Sequence, residues 1–285
     1  MSTAGAGTGP NASGTPRNGL GGPGRAPAGR PAKPKSAGAI AVVVLILLAI
    51  TLWAGLGIRV DLAAIARNWS NAVANIIQLT QPDYGFIPKT FPALLETLQM
   101  AVIATAIGAA VSLPLAFLAS RATNPHTPLL RVVRFVMNLV RSVPDILYAA
   151  ILVAVVGVGA LSGIMALVMF NIGIIVKLVS EALDGEDAGA QEAALAAGAS
   201  WFKADRAAML PQILPTFASQ TLYTFEINIR ASTVIGLVGA GGLGVLIDNV
   251  RNFFRYHELS MIIFEILIMV VVLEMFSAWL RKRLV

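Results

Sequence analysis

The chain has 285 residues, 56% of them hydrophobic and only 13% charged, with a mean hydropathy of +0.76 and a net charge of +6. That balance excludes a soluble globular domain and defines an integral membrane protein. The absence of cysteine and the presence of only two histidines, His126 and His257, exclude disulfides, zinc-thiolate sites and a histidine-rich metal centre.

Residues 1–36 are rich in Gly, Pro and Ala and lack apolar periodicity, so a disordered tail is expected, placed in the cytoplasm by Arg17, Arg25, Arg30, Lys33 and Lys35. Residues 37–58 form the first transmembrane anchor, about 20 residues or roughly 30 Å of helix. It is read as uncleaved, because no small-residue cleavage site follows Trp53. Residues 59–92 are expected as an external loop. A second span over 93–119 returns the chain to the inside, where Arg121, Arg131, Arg134 and Arg141 cluster as the positive-inside rule requires. That placement explains the net charge without a nucleic-acid partner.

Ser142 is expected to cap the third span, with Asp145 as the acidic half of a capping box and Pro144 in the first turn. The third and fourth spans, reaching Ser180, are joined by a Gly-rich turn over 157–163. The fifth lies over 215–238 and the sixth over 259–280, ending in Arg281, Lys282 and Arg283. The expectation is an all-α membrane protein of about six transmembrane helices, with both termini cytoplasmic and a core over 93–285.

Between the fourth and fifth spans the polar segment 181–215 leaves the bilayer, so it presents an element to a partner protein. Gln191 to Ala197 are strong helix formers, Gly198 gives a stop, Ser200 can cap a second short helix from Trp201, and Pro211 and Pro215 close the segment. Glu192, Ala193, Ala194, Gly198, Leu210 and Pro211 fall at the spacing of the EAA loop and resemble it. By this loop, permease subunits of bacterial ABC importers dock on their ATPase subunits; Ala208 stands where isoleucine is usual. The resemblance implies an ATPase-coupling role for these residues together with Gln191 and Ala197. The plainer alternative is an alanine-rich cytosolic loop.

In the fifth span, Ser219, Tyr223, Glu226, Arg230 and Thr233 recur at intervals of four, three, four and three and so share one helical face. A charge at mid-bilayer costs roughly 2.5 to 3.5 kcal/mol, so this face is expected to meet protein or water. Glu226 and Arg230, one turn apart, are expected to neutralise each other. The face, with Asn228, is a candidate lining of a translocation path; a structural pair is the alternative. Gly239, Gly241 and Gly244 satisfy G-x-G-x-x-G, but no alternation of strand and helix surrounds them. A flexible turn shaping an external gate, with Gly241 and Gly242 as gate candidates, accounts for them better. No G-x-x-x-x-G-K-[ST] occurs, so the energy must come from another polypeptide. The external stretch 251–259 carries Arg251, Arg255 and His257, a patch suited to an anionic substrate or an acidic docking partner. An interfacial helix anchored by Phe253, Phe254 and Tyr256 is the competing account.

Taken together, RSVPDILYA (141–149), FEINIRASTVIGLVGAGGLG (225–244) and FRYHE (254–258) resemble permeases of phosphonate ABC importers, a likeness covering about residues 91–285. It implies the type I ABC importer permease fold and a homodimer working by alternating access with two ATPase subunits, which hold the ATP and magnesium. It also implies an external binding protein, docked near Arg251, Arg255 and His257, that delivers phosphonate, phosphite or phosphate. Neither a catalytic residue nor a cofactor is expected in this chain. A permease for another solute such as methionine, or an ion-coupled secondary transporter, are the alternatives.

Overall fold

The computed structural model describes residues 37–58, 61 and 63–284; the expected tail over 1–36 lies outside them. The chain divides into two units, residues 1–65 and 66–285. In the first unit, α1 (Ala37–Gly57) is apolar along its length and exposes large side chains such as Leu45, Leu47 and Trp53 on every side, as a helix surrounded by lipid does. The short α2 (Ala63–Arg67) straddles the division.

Every regular element among the described residues of the second unit is a helix or helical turn. Its elements are α3 (Trp69–Leu79), a 3-10 turn (Tyr84–Phe86), α4 (Ile87–Ala119), α5 (Thr127–Ser142), α6 (Asp145–Val156) and α7 (Ala160–Leu183). After them come α8 (Gly189–Ala196), α9 (Trp201–Ala204), a π-helical turn (Asp205–Met209), α10 (Leu210–Gly236), α11 (Gly242–Asn252) and α12 (Tyr256–Leu284). Among the described residues, four stretches are long and apolar enough to cross a membrane: Ile40–Gly57, Tyr84–Ala119, Ala160–Leu183 and Tyr256–Arg283. A fifth arises if α5 and α6, bent by 85° at their junction, count as one broken span. At 27 residues, or about 40 Å, α10 is also long enough, but its polar side chains take it out of the apolar class.

The centre is the pairing of α4 with α7. Thr97, Met100, Ala104, Ser112 and Ala116 form one buried stripe on α4, and Ser162, Ala166, Leu167, Asn171 and Ile175 another on α7. Small residues at such a seam let helix backbones approach closely, which is how helices gain packing energy where lipid supplies no hydrophobic drive. Three of the four apolar clusters among the described residues mark the length of the bundle. Phe86, Leu243 and Ile262 lie at one end, Met100, Leu167 and Ile235 in the middle, and Ile175, Leu183, Met209 and Ile213 at the end that carries α8 and α9.

Several boundaries differ from those expected. The second span starts at Ile87, so Pro92 lies inside α4, and α3 occupies what was read as loop. The arginines after α4 do not sit in a loop: Arg131, Arg134 and Arg141 ride on the amphipathic α5. Ser142 is the last residue of that helix, where its Oγ donates to Leu139 O, and it caps nothing. Asp145 instead accepts from the Ile146 amide at the start of α6. Pro211 and Pro215 do not close a loop; Pro211 is the second residue of α10, directly after the π turn, and Pro215 lies one turn further in.

Candidate functional site

The segment that resembles the EAA loop folds as helix, turn, helix. Helix α8 stops at Gly198, whose φ of +89° suits a residue without a side chain, and the Gly198 and Ala199 amides donate back to Leu195 O and Ala194 O. Ser200 occupies the N-cap of α9, although its hydroxyl makes no capping bond. Glu192, Ala193, Ala197 and Gly198 are exposed, which leaves one face of α8 and its turn open to a partner.

Gln191 does something different. It is only 3% exposed, and its amide donates to Ala122 O at 3.0 Å and to Asp205 Oδ1 at 2.6 Å. One side chain thereby fastens α8 to the turn after α4 and to the π turn. Burial pushes the Asp205 carboxyl above its ordinary range, and the bond from Gln191 offsets only part of that rise. Leu210 and Pro211 follow directly as the first residues of α10, so α9, the π turn and α10 form one continuous helical run from Trp201.

A second clasp, built on Asp184, closes the same end. Its Oδ1 accepts from Ser120 Oγ at 2.7 Å and the Arg121 amide at 2.6 Å, and its Oδ2 from Arg134 Nη2 at 2.7 Å; Arg134 Nε also donates to Ala119 O. Burial alone would raise the Asp184 carboxyl, but these donors and the guanidinium charge outweigh it and hold the group below its ordinary range. Sequence reasoning passed over Asp184, Asp205 and Arg134 as site residues because each has partners distant in sequence.

On α10 the expected Glu226–Arg230 pair does not form. Glu226 pairs with Arg281 and Arg230 with Glu274, so both charges are neutralised across the α10–α12 interface. Residues four apart on one helix compete with longer-range partners, and here a facing helix supplies an opposite charge for each. Tyr223 and Arg230 are exposed and Thr233 half-buried, its hydroxyl donating to Arg230 O. Asn228 is wholly buried and donates to Thr105 Oγ1 of α4 at 2.8 Å, so in this conformation it ties two helices together.

At the opposite end, Gly239, Gly241 and Gly242 all have positive φ, and Gly241 and Gly242 are buried. An added Cβ at Gly242 would lie 2.6 Å from Thr97 Oγ1, and one at Gly241 would lie 2.8 Å from the Ala160 nitrogen. The turn expected to be flexible is therefore tightly packed, and the Gly159 amide donates to Gly239 O to join it to the α6–α7 turn. Arg251 pairs with Asp248 and Arg255 with Glu258, while His257 Nδ1 lies 2.9 Å from Gln81 O. Both arginines of this stretch thus have partners three residues away and His257 a distant one, and Phe253 and Phe254 beside them are exposed.

The second unit is thus a membrane-crossing helical bundle with a polar helix–turn–helix at one end that runs on into α10. Residues 112–285 match the family described as "Binding-protein-dependent transport system inner membrane component", and the chain belongs to it. It is 41% identical over 202 residues to the phosphite transport system permease protein PtxC of Stutzerimonas stutzeri, covering 71% of this chain and 74% of that one. It is 38% identical over 195 residues to the phosphate-import permease protein PhnE of Mycolicibacterium smegmatis, covering 68% of this chain and 37% of that longer one. The fold is similar to that of a chain of the inward-facing MetNI methionine ABC transporter, with a TM-score of 0.64 at 22% identity over 71% of this chain and 99% of that one. The protein is accordingly a multi-pass permease component of the inner membrane with the type I ABC importer permease fold.

Proposed function

We infer that the permease imports a small phosphorus oxyanion, namely phosphite, phosphonate or phosphate. The single observation that carries this reading is the likeness, at 41% identity over 202 residues, to a permease named for phosphite transport. The chain acts as a homodimer, with both termini and the coupling segment cytoplasmic, residues 37–58 as an added anchor and residues 93–285 as the core. Two separate ATPase subunits, which hold the ATP and magnesium, dock on the open face of α8 around Glu192 to Gly198. A binding protein delivers the solute at the far end, near Arg251, Arg255 and His257.

Closure of the ATPases presses on α8, and the Gln191 bonds pass the displacement to the turn after α4 and to the π turn that begins α10. The exposed side chains Tyr223 and Arg230 on α10, with Glu226 and Thr233, face the path that opens. The packed Gly241–Gly242 turn forms its outer closure. Alternating access follows, because the pressed segment and the path share one helix. Proteoliposomes holding this chain, its ATPase and its binding protein are expected to accumulate phosphite, phosphonate or phosphate only with ATP hydrolysis. Accumulation driven by an ion gradient without ATP would overturn the transport class, and ATP-dependent uptake of methionine alone would overturn the substrate.

A further inference from the structure

At the end of the bundle that carries α8 and α9, a cavity of about 350 Å³ opens between α4, α5 and α7. This lies near the lower end of the range of roughly 300 to 1,000 Å³ found for small-molecule pockets. Arg134 and Arg141 enter it from one face of α5, two turns apart, with Asn138 between them. Arg121, just past α4, and Lys177, from α7, complete a ring of four cations. Two acids, Glu181 and Asp184, also line it, so four positive and two negative side chains leave a net charge of +2.

The acids are already engaged. Asp184 is bound by Arg134, Ser120 and the Arg121 amide, and Glu181 pairs with Lys177 one turn away on α7. Among the described residues no carboxylate pairs with the guanidinium of Arg121 or Arg141. Gly173 lies where the end of α5 crosses α7: a Cβ added there would sit 3.4 Å from Arg141 Cα, so the cavity wall behind Arg141 is bare backbone. An inside-positive charge bias needs only that basic residues lie on one side of the membrane. It does not need them to converge from α5, α7 and the turn after α4 on one concavity, with two guanidinium groups left without a counter-ion.

We propose that this cavity seats a phosphoryl-type oxyanion, with Arg121 and Arg141 as its principal ligands and Arg134, fixed by Asp184 and Ala119 O, as an oriented third donor. Guanidinium forks match the geometry of tetrahedral oxyanions, and two unpaired ones facing a concavity bind such an ion with charge-assisted hydrogen bonds. The same chemistry is offered by free phosphate or phosphite and by the headgroup of an anionic phospholipid. The proposal rests on the functional reading above only for which free oxyanion arrives.

The test uses the full chain in nanodiscs of phosphatidylcholine alone, titrated with inorganic phosphate and with phosphite by calorimetry and phosphorus NMR. Saturable binding is expected, weakened at least tenfold by Arg121→Gln and by Arg141→Gln and largely restored by Arg141→Lys. Arg131→Gln, on the same helix but outside the cavity, should leave it unchanged. The same titration in discs containing phosphatidylglycerol separates the sources: an unchanged affinity assigns the seat to the free ion, and competitive loss of phosphate binding assigns it to the headgroup. If neither anion binds in phosphatidylcholine, or if Arg131→Gln weakens binding as much as the two cavity variants, the proposal is overturned. Binding that depends on Arg121 and Arg141 in a chain that fails to support phosphite uptake would keep the site and sink the functional reading, whereas uptake without such binding would do the reverse.

Discussion

Replacing Gln191 with leucine keeps the side-chain bulk and removes both donors. The bond to Ala122 O is a neutral one, worth about 1 kcal/mol net, and the bond to the Asp205 carboxylate is worth about 1.5 to 3 kcal/mol, so the attachment of α8 loses roughly 2.5 to 4 kcal/mol. In a local opening equilibrium that is on the order of a hundredfold to a thousandfold. Hydrogen exchange of the purified chain should show protection across residues 189–209 falling by that factor, while the buried α4–α7 seam stays protected. Asp205 provides an internal check. Its folded-state carboxyl is raised, so the stability tied to it is fully present below its ordinary value of 3.8 and is lost as pH rises through the raised value. After correction for intrinsic exchange, protection of the segment should therefore decline with rising pH across the acidic range, and Asp205→Asn should flatten the decline. Protection in Gln191→Leu within threefold of wild type would refute the reasoning, because the two bonds would then be fastening nothing.

Further expectations follow from the same geometry. At Gly198 nothing lies within 4 Å of an added Cβ, so Gly198→Val costs backbone strain alone, at least about 1 to 2 kcal/mol at φ +89°; stimulation of ATP hydrolysis by the loaded binding protein should drop at least fivefold while the chain still inserts, and full stimulation would remove the turn from coupling. A double-mutant cycle on Glu226 and Arg281 should give a coupling energy of about 0.5 to 3 kcal/mol by thermal unfolding in detergent, and the cycle on Glu226 and Arg230 a value near zero; the opposite ordering would contradict the cross-helix pairing. Because the Asp184 carboxyl is held below its ordinary value, its contribution is complete above about pH 4 and fades as pH falls below that. The melting temperature of Asp184→Asn should thus lie below wild type at neutral pH, and the gap should close on acidification; a gap independent of pH would mean the charge is not what holds the clasp.

The helices readable in advance were those whose residues meet lipid on one side and packed neighbours on the other, because both environments ask for apolar side chains. That describes α4, α7 and α12, whereas α1 was readable because it is apolar all round. The reading of α5 failed for a physical reason: an amphipathic helix that carries Arg131, Arg134 and Arg141 looks, by hydropathy, like the loop that a positive-inside bias would produce. The turn at Gly198 was legible because its causes are local, a run of helix formers followed by a residue free to take positive φ. Gln191 was identified with the coupling residues, but its task could not be read, since its partners stand 69 and 14 positions away. The charges on α10 illustrate the same limit. Periodicity put Glu226 and Arg230 on one face, yet only the fold brings Arg281 and Glu274 of α12 against them.

The π turn over Asp205–Met209 sets an angular relation between the docking element and the helix beyond it. A wide turn of this kind takes up one residue more than the regular spiral, and each residue of an α-helix advances the azimuth by about 100°. The side of the run that α9 presents is therefore out of phase, by about that angle, with the side that an uninterrupted helix would have continued into α10. The wide turn works as a fixed indexing step: it sets which stripe of α10 looks at α12 when α9 is seated. A one-residue deletion that restored regular winding would rotate Glu226 and Arg230 away from Arg281 and Glu274 without touching any of the four.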